Sequence, residues 1–224
     1  MSTDAAGSWD NEYATGTRYV ADEPPVGFVA EILALAKAHG VESGMYLGCG
    51  NGRNFIPLSD AGLELVGLDI SATAIEQLTE RAPRYAGRLV VGDLTALPDG
   101  QRYPLVIALQ VIQHGNREQV HGLLADTLAR VDDGGLFAIR VNAVGTDVRH
   151  THEVIERDPD GSFSVRYTAG PKAGLTVHFW AAAELDAAIR AAGLVPVARL
   201  RPESTWREPA EAGQWLQWEG VYRR

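Results

Sequence analysis

The chain has 224 residues, 46% of them hydrophobic, a single cysteine, and a formal charge of −9 with a pI near 5.1. That balance leaves no basic face for a phosphate backbone, and one cysteine allows neither an internal disulfide nor a thiolate-rich metal site, so neither nucleic acid nor metal is expected. No apolar run reaches the roughly 18 residues that cross a bilayer, and the acidic opening MSTDAAGSWDNEY lacks the basic-then-apolar plan of a secretory signal; one cytoplasmic domain over 1–224, without a membrane partner, is expected.

Residues 1–40 read as an N-terminal arm followed by a helix, since 26–39, VGFVAEILALAKAH, carry apolar residues at helical spacing. Residues 45–48 read as a strand, 53–61 as a helix start, and 64–69, ELVGLD, as a second strand. Ser71 can cap a helix over 72–82, Leu89–Val91 form a third strand, and Leu105–Leu109 form a continuous apolar strand suited to burial on both faces. A helix follows over 117–130, ended by Asp133-Gly134-Gly135, and LFAIRV gives a fifth strand. Repetition of this βα rhythm implies a parallel, doubly wound α/β sheet. Residues 142–178, polar and turn-rich with DPDG inside them, read as an insertion. Then 182–192 make a helix closed by Gly193, and LVPVARL and WLQWEGVY read as two strands whose connection is too short for a crossover, hence an antiparallel hairpin.

MYLGCGNGRN places Gly48, Gly50 and Gly52 at alternate positions behind the first strand. In an open parallel sheet, ligands lie outside the carboxyl ends of the strands at the switch point beside that strand. Glycines let the main chain pass close to a ligand, and the following helix N-terminus offers free N–H groups. The spacing G-x-G-x-G differs from the dinucleotide fingerprint G-x-G-x-x-G, with Arg53 filling the third small position, which argues against a nicotinamide-dependent oxidoreductase. A tight turn alone remains the rival explanation. Asp69 ends the second strand 21 positions after Gly48, where a carboxylate can accept bonds from both ribose hydroxyls. Asp93 closes the third strand in VVGDLTALP, placed for the exocyclic amine of an adenine. Either aspartate alone could be a surface residue at a strand end; the three positions together point to a nucleoside ligand.

These segments resemble class I S-adenosylmethionine-dependent methyltransferases. LGCGNGRN looks like the family's first motif, LVGLDIS its second, VVGDLTALP its third and YPLVIALQVIQHG its fourth, while VDDGGLFAIRV resembles the glycine turn before strand five. The likeness is strong from about residue 40 to 141 and topological from 178 to 224, and GCGNGRN is distantly similar to the tellurite-resistance type. It implies a Rossmann-like sheet of seven strands in the order 3-2-1-4-5-7-6. It also implies S-adenosyl-L-methionine as cofactor, with contacts from Gly48, Gly50 and Gly52 and with Arg53 or Asn54 nearby. By the same resemblance Asp69 and Ile70 would hold ribose and adenine, Asp93 and Leu94 the adenine, and Gln110 would lie near the sulfonium.

Methyl transfer asks chiefly for alignment of nucleophile, methyl carbon and sulfur, plus a base if the nucleophile is neutral. His114, just after the fourth strand, is the candidate base; ordering the helix after Gly115 is the alternative. Similar enzymes fold such an arm over the cofactor, which makes Tyr13 and Arg18 candidate cofactor contacts and Tyr19 a candidate on the acceptor side. His150 and His152 in the insertion and His178 at its far end are further substrate-side candidates, though an H-x-H pair in a polar loop is more often solvated. Trp206, Trp215 and Trp218 are expected to cover the hairpin and core. The arm and the insertion are the segments left over for recognition, which favours a small-molecule acceptor methylated at oxygen or nitrogen. A protein acceptor, or binding of the cofactor without catalysis, are the alternatives. Monomer and homodimer are both compatible with the sequence.

Overall fold

The computed structural model describes residues 3–15, 23–170, 172–208 and 213–224. They form two compact units, Met1–Ile107 with Arg130–Leu136, and Ala108–Ala129 with Phe137–Arg224. No helix among the described residues is long and apolar enough to cross a membrane.

The first unit holds α1 (Thr3–Ala14), α2 (Phe28–Ala38), β1 (Ser43–Leu47), α3 (Phe55–Asp60), β2 (Glu64–Asp69), α4 (Ala72–Arg81), β3 (Leu89–Val91) and the leading parts of β4 (Tyr103–Leu109) and β5 (Val131–Asn142). β1 pairs parallel with β2 from Ser43 opposite Glu64 to Leu47 opposite Leu68, and β2 pairs parallel with β3. α2 buries Phe28, Val29, Ile32 and Ala36, one stripe at helical spacing. α4 starts where Ser71, in extended conformation, accepts the Ala74 N–H on its hydroxyl at 3.1 Å, the expected cap. Ala74, Ile75 and Leu78 then turn inward.

The second unit holds the trailing parts of β4 and β5, α5 (Arg117–Ala129), β6 (His152–Arg157), β7 (Phe163–Tyr167), β8 (Thr176–Phe179), α6 (Ala182–Ala191), β9 (Val195–Trp206) and β10 (Gln214–Arg223). β9 and β10 are the antiparallel hairpin expected, with Gln214 opposite Trp206 and Arg223 opposite Val195. It is longer than the apolar runs suggest. The large sheet has the hydrogen-bonded order β3-β2-β1-β4-β5-β10-β9. Counting that sheet alone, this is the implied 3-2-1-4-5-7-6; the detail that differs is three additional strands, which give the hairpin the numbers nine and ten.

Those three strands lie in the insertion, where no regular element was expected. β6, β7 and β8 form a separate antiparallel sheet. Its apolar side packs Val165, Tyr167, Val177 and Phe179 together, and the rings of Phe163 and Phe179 stack with centroids 4.7 Å apart. β6 reads HEVIER, with charges on both sides of its two apolar residues. A strand of that kind makes little periodic signal, and DPDG is the turn that joins it to β7. α1 is a second element not foreseen, within the arm. A third difference concerns Asp133-Gly134-Gly135: α5 already ends at Ala129 and β5 begins at Val131, so these residues lie inside the strand, with Gly134 at φ +77°.

Candidate functional site

In the first unit the glycine turn leaves β1 with Gly48, Gly50 and Gly52 at φ +69°, +55° and +94°. At Gly50 the requirement is also one of space, since a Cβ there would lie 2.5 Å from the Tyr13 hydroxyl of α1. At Gly52 a Cβ would collide with Leu78 and Ile56. The turn is fastened to β2 by its main chain: Gly48 and Cys49 donate to the Leu68 carbonyl at 2.7 and 2.9 Å. Asp69 completes the join, accepting the Gly50 N–H on Oδ2 at 2.8 Å and the Ser71 N–H on Oδ1 at 2.9 Å. Burial pushes its carboxyl above the ordinary range, against the Ser71 and Gly50 N–H bonds that favour the charged form. Each carboxylate oxygen keeps a further lone pair.

Asp93 caps the turn that follows β3, its Oδ1 accepting the Thr95 hydroxyl at 2.6 Å and the Thr95 N–H at 3.0 Å. The Thr95 hydroxyl bond holds this carboxyl below its ordinary value, with burial opposing. Leu94 behind it is buried, and Ile70 after β2 is half-buried.

Arg53 and Asn54 are occupied otherwise than expected. Arg53 donates from Nε to the Pro24 carbonyl at 2.7 Å and pairs with Glu23 at 3.0 Å. Asn54 accepts the Val26 N–H on Oδ1 at 3.0 Å and donates from Nδ2 to the Tyr46 hydroxyl at 3.4 Å. Both side chains therefore tie residues 23–26 to the turn; a ligand carboxylate would have to compete with these bonds.

The arm supplies what the motifs omit. Asp10 accepts the Ser71 hydroxyl at 2.6 Å and the Thr73 N–H at 3.1 Å on one oxygen, so α1 caps α4 from outside. The Ser71 hydroxyl bond chiefly, then the Thr73 N–H, lowers the Asp10 carboxyl. Gln77 donates to the Tyr13 carbonyl at 3.0 Å. Next to Tyr13, Glu12 is 6% exposed and its Oε1 is enclosed without a hydrogen-bond partner among the described residues. The polar pairing of Asp10 with Ser71 had no signal in the sequence, because a short acidic-aromatic helix resembles a solvated arm. Arg18 and Tyr19 lie outside the described residues.

In the second unit, Gln110 ends β4 at φ +63°, the one non-glycine residue with positive φ among those described. A long side chain in that region marks backbone strain held by its surroundings. Here the Gln110 N–H donates to the Arg140 carbonyl at 2.6 Å, and its own carbonyl accepts from His114 Nε2 at 3.0 Å. Nε2 thus carries a hydrogen, and Nδ1 is enclosed. This geometry suits a histidine that orders the loop after β4 better than one that takes a substrate proton.

Of the three insertion histidines, His150 and His152 share one neighbour and His178 has others. His150 and His152 each stand steeply against the Tyr167 ring, at 78° and 72° with centroids 6.0 and 6.4 Å away. His178 is fully buried, so it cannot line an acceptor pocket, contrary to expectation. Among the described residues no group of three or more His, Cys, Asp or Glu could hold a metal ion. Trp215 donates to Asn142 Oδ1 at 2.7 Å and Trp218 to the Trp180 carbonyl at 2.8 Å, while Trp206 is 68% exposed and covers nothing.

Residues 45–135, from β1 through the glycines of β5, match a family model described as a methyltransferase domain. That segment is similar to methyltransferase domains. Solved structures repeat its fold over nearly the whole length. Magnesium protoporphyrin IX methyltransferase from Synechocystis PCC 6803, with bound S-adenosylhomocysteine, is 18% identical with a TM-score of 0.68, covering 99% of this chain and 98% of that one. The CcbJ methyltransferase from Streptomyces caelestis is 20% identical with a TM-score of 0.63, covering 96% and 97%. The Burkholderia thailandensis 1,6-didemethyltoxoflavin-N1-methyltransferase, solved with its substrate and S-adenosylhomocysteine, is 18% identical with a TM-score of 0.65, covering 99% and 89%. No protein of curated function matches the sequence. In the matched segment, the stretches quoted for the four motifs fall on β1, β2, β3 and β4 with their following turns, as the resemblance implied.

Proposed function

We propose that this chain transfers a methyl group from S-adenosylmethionine to an oxygen or nitrogen of a small-molecule acceptor. The observation that carries the reading is the junction of Asp69 with the glycine turn: a buried carboxylate bonded to Gly50 and Ser71, at the carboxyl end of β2, under the Tyr13 hydroxyl.

The residues present fit the cofactor. Gly50 leaves the main chain bare where Tyr13 approaches, and Glu12, next to Tyr13 in the chain, has a carboxyl oxygen enclosed without a hydrogen-bond partner among the described residues. An enclosed carboxyl oxygen lacking a donor suits a ligand that brings ammonium N–H groups. Asp69 would accept the ribose hydroxyls, and Leu94 with Ile70 would pack on the adenine while Asp93 accepts its amine. Tyr13 and Glu12 would close over the amino-acid part. When bound, S-adenosylmethionine supplies a methyl group activated by its sulfonium. The contribution of this chain is to orient that group and exclude water, which converts a bimolecular encounter into an aligned displacement. With His114 tied to Gln110, proton transfer to it is not part of the reading. Relatives in structure include enzymes whose acceptors are named as small molecules, which supports that choice over a macromolecule.

Calorimetric titration with S-adenosylmethionine, S-adenosylhomocysteine and NAD tests it. Micromolar binding of both sulfur nucleotides, lost in Asp69→Asn, is expected; binding of NAD alone would overturn the reading.

A further inference from the structure

A second cluster of ionisable groups lies in the second unit, and the methyl-transfer reading does not use it. His178, 0% exposed on β8, stands between Ser164 of β7 and Glu184 of α6: Nδ1 is 2.9 Å from the Ser164 hydroxyl and Nε2 is 3.1 Å from Glu184 Oε2. The Ser164 hydroxyl has one proton, and it is given to Glu156 Oε2 of β6 at 2.8 Å, which also accepts the Arg117 N–H at 3.0 Å. Toward His178, therefore, Ser164 can only accept. Glu184 is likewise an acceptor. Its Oε1 takes Arg117 Nε and His121 Nε2 of α5, each at 2.8 Å. Burial pushes the Glu184 carboxyl up, but the bonds from His121 and His178 outweigh it and hold the group far below the ordinary carboxylate range. Both ring nitrogens of His178 thus face acceptors that have no proton to give.

We propose that His178 is a buried imidazolium, and that its charge makes the insertion sheet and the loop after β4 one brace, with His178 and Glu184 as positioning residues for that loop. The charges around the ring are arranged for it. Glu184 meets it directly and Glu156 through Ser164, Arg117 is itself paired with Glu184 and Asp158, and the rings of His178 and Trp180 stand at 87° with centroids 4.8 Å apart.

The same residues hold the loop through the main chain. His178 N–H donates to the Gln113 carbonyl at 2.8 Å, Gly115 N–H to the Thr176 carbonyl at 2.9 Å, and Trp180 Nε1 to the Ile112 carbonyl at 2.8 Å. His114 forms a bridge with Val177. So β8 adds itself to residues 112–115, the stretch that follows the strained Gln110, and the ion cluster fixes β8 to α5, α6 and β6. Breaking a buried ion pair on one side leaves an uncompensated charge, which is why its loss should be felt at the loop.

The test uses the whole chain and needs no acceptor, so it fails or succeeds independently of the methyl-transfer reading. Long-range ¹H–¹⁵N spectra of protein labelled at histidine, at about pH 7, should show one of the six histidines with both ring nitrogens protonated, and that signal should vanish in His178→Gln. A neutral tautomer for His178 in the unaltered protein overturns the proposal at once. Amide exchange then separates charge from shape. Glu184→Gln keeps the size and removes the charge, and should speed exchange at Gly115 and His178 at least tenfold; Glu184→Asp keeps the charge and should change it less and retain the imidazolium signal. The opposite ranking, Gln tolerated and Asp not, means a steric prop and sinks the idea. Should Glu184→Gln not fold, the spectrum of the unaltered protein still decides.

Discussion

The Gly50 N–H points at the Asp69 carboxylate, 2.8 Å away, so the residue that ends β2 holds open the turn that follows β1. One side chain thus builds the turn and also offers the remaining lone pairs to a ligand. Asp69→Asn preserves the shape and one acceptor but removes the charge. Affinity for S-adenosylhomocysteine should fall at least tenfold, about 1.4 kcal/mol, with the circular dichroism spectrum unchanged. Titration calorimetry checks it; an unaltered dissociation constant would remove Asp69 from the binding site.

Tyr13 and Gly50 should be energetically coupled. In Gly50→Ala the new methyl meets the Tyr13 hydroxyl, and the φ of +55° adds left-handed strain of about 1–2 kcal/mol. Tyr13→Phe removes the nearest atom and leaves the next at 3.5 Å. The double variant should therefore recover part of the loss. Urea unfolding of the four proteins closes the cycle, and strict additivity would mean the two residues do not touch in solution.

Ser71 serves two helices, accepting from Ala74 and donating to Asp10. Replacing it with alanine should cost about 1 kcal/mol of cap energy and, separately, loosen α1. Hydrogen exchange resolves the second effect: amides of Asp10–Ala14 should exchange faster in Ser71→Ala, while those of α6 do not change.

Acid should act through Glu184. Its folded-state pKa is depressed, so its stabilising contribution is complete above the unfolded carboxylate value of about 4.3 and is lost as pH falls below it. Because the folded value lies so far down, the loss continues through the whole acid range that can be measured. Stability from urea unfolding between about pH 5 and pH 3 should fall with a slope that Glu184→Gln reduces by up to about 1.4 kcal/mol per pH unit, one proton's worth. Equal slopes would show that Glu184 does not keep its proton off in the folded state.

Gln110 carries strain that glycine would relieve. Gln110→Gly should leave the melting temperature equal or higher, whereas Gln110→Val, β-branched at φ +63°, should lower it. A lower melting temperature for the glycine variant would show that the Gln110 side chain contributes more than its backbone costs.

The sequence made legible whatever repeats a local rule. VIAL in β4 is apolar throughout because it is buried throughout, and Ser71 caps α4 because its hydroxyl suits a helix start. The positions of Gly50 and Asp69 could be read for the same reason, as spacing along two adjacent strands. What escaped depends on partners distant in sequence. Arg53 reads as a ligand-seeking cation until Glu23 and Pro24 come beside it. His178 reads as a substrate-side candidate at the end of a polar segment; its burial follows from Ser164 and Glu184, 14 residues before and 6 after it. β6 hides because a bulge after Val154 brings two charges three positions apart to one face, with Glu156 turned to Arg117 and Glu153 to Arg166.

Cys49 sits behind the glycine turn, 5% exposed, and burial with the nearby Asp69 charge pushes its thiol well above the ordinary value. The thiolate is the species that alkylating reagents attack, so this residue is inert toward them. It is also the only cysteine in the chain. A cysteine substituted for the exposed Asn11 on α1 becomes the sole reactive handle, and a spin or fluorescent label can follow the arm without first deleting anything native.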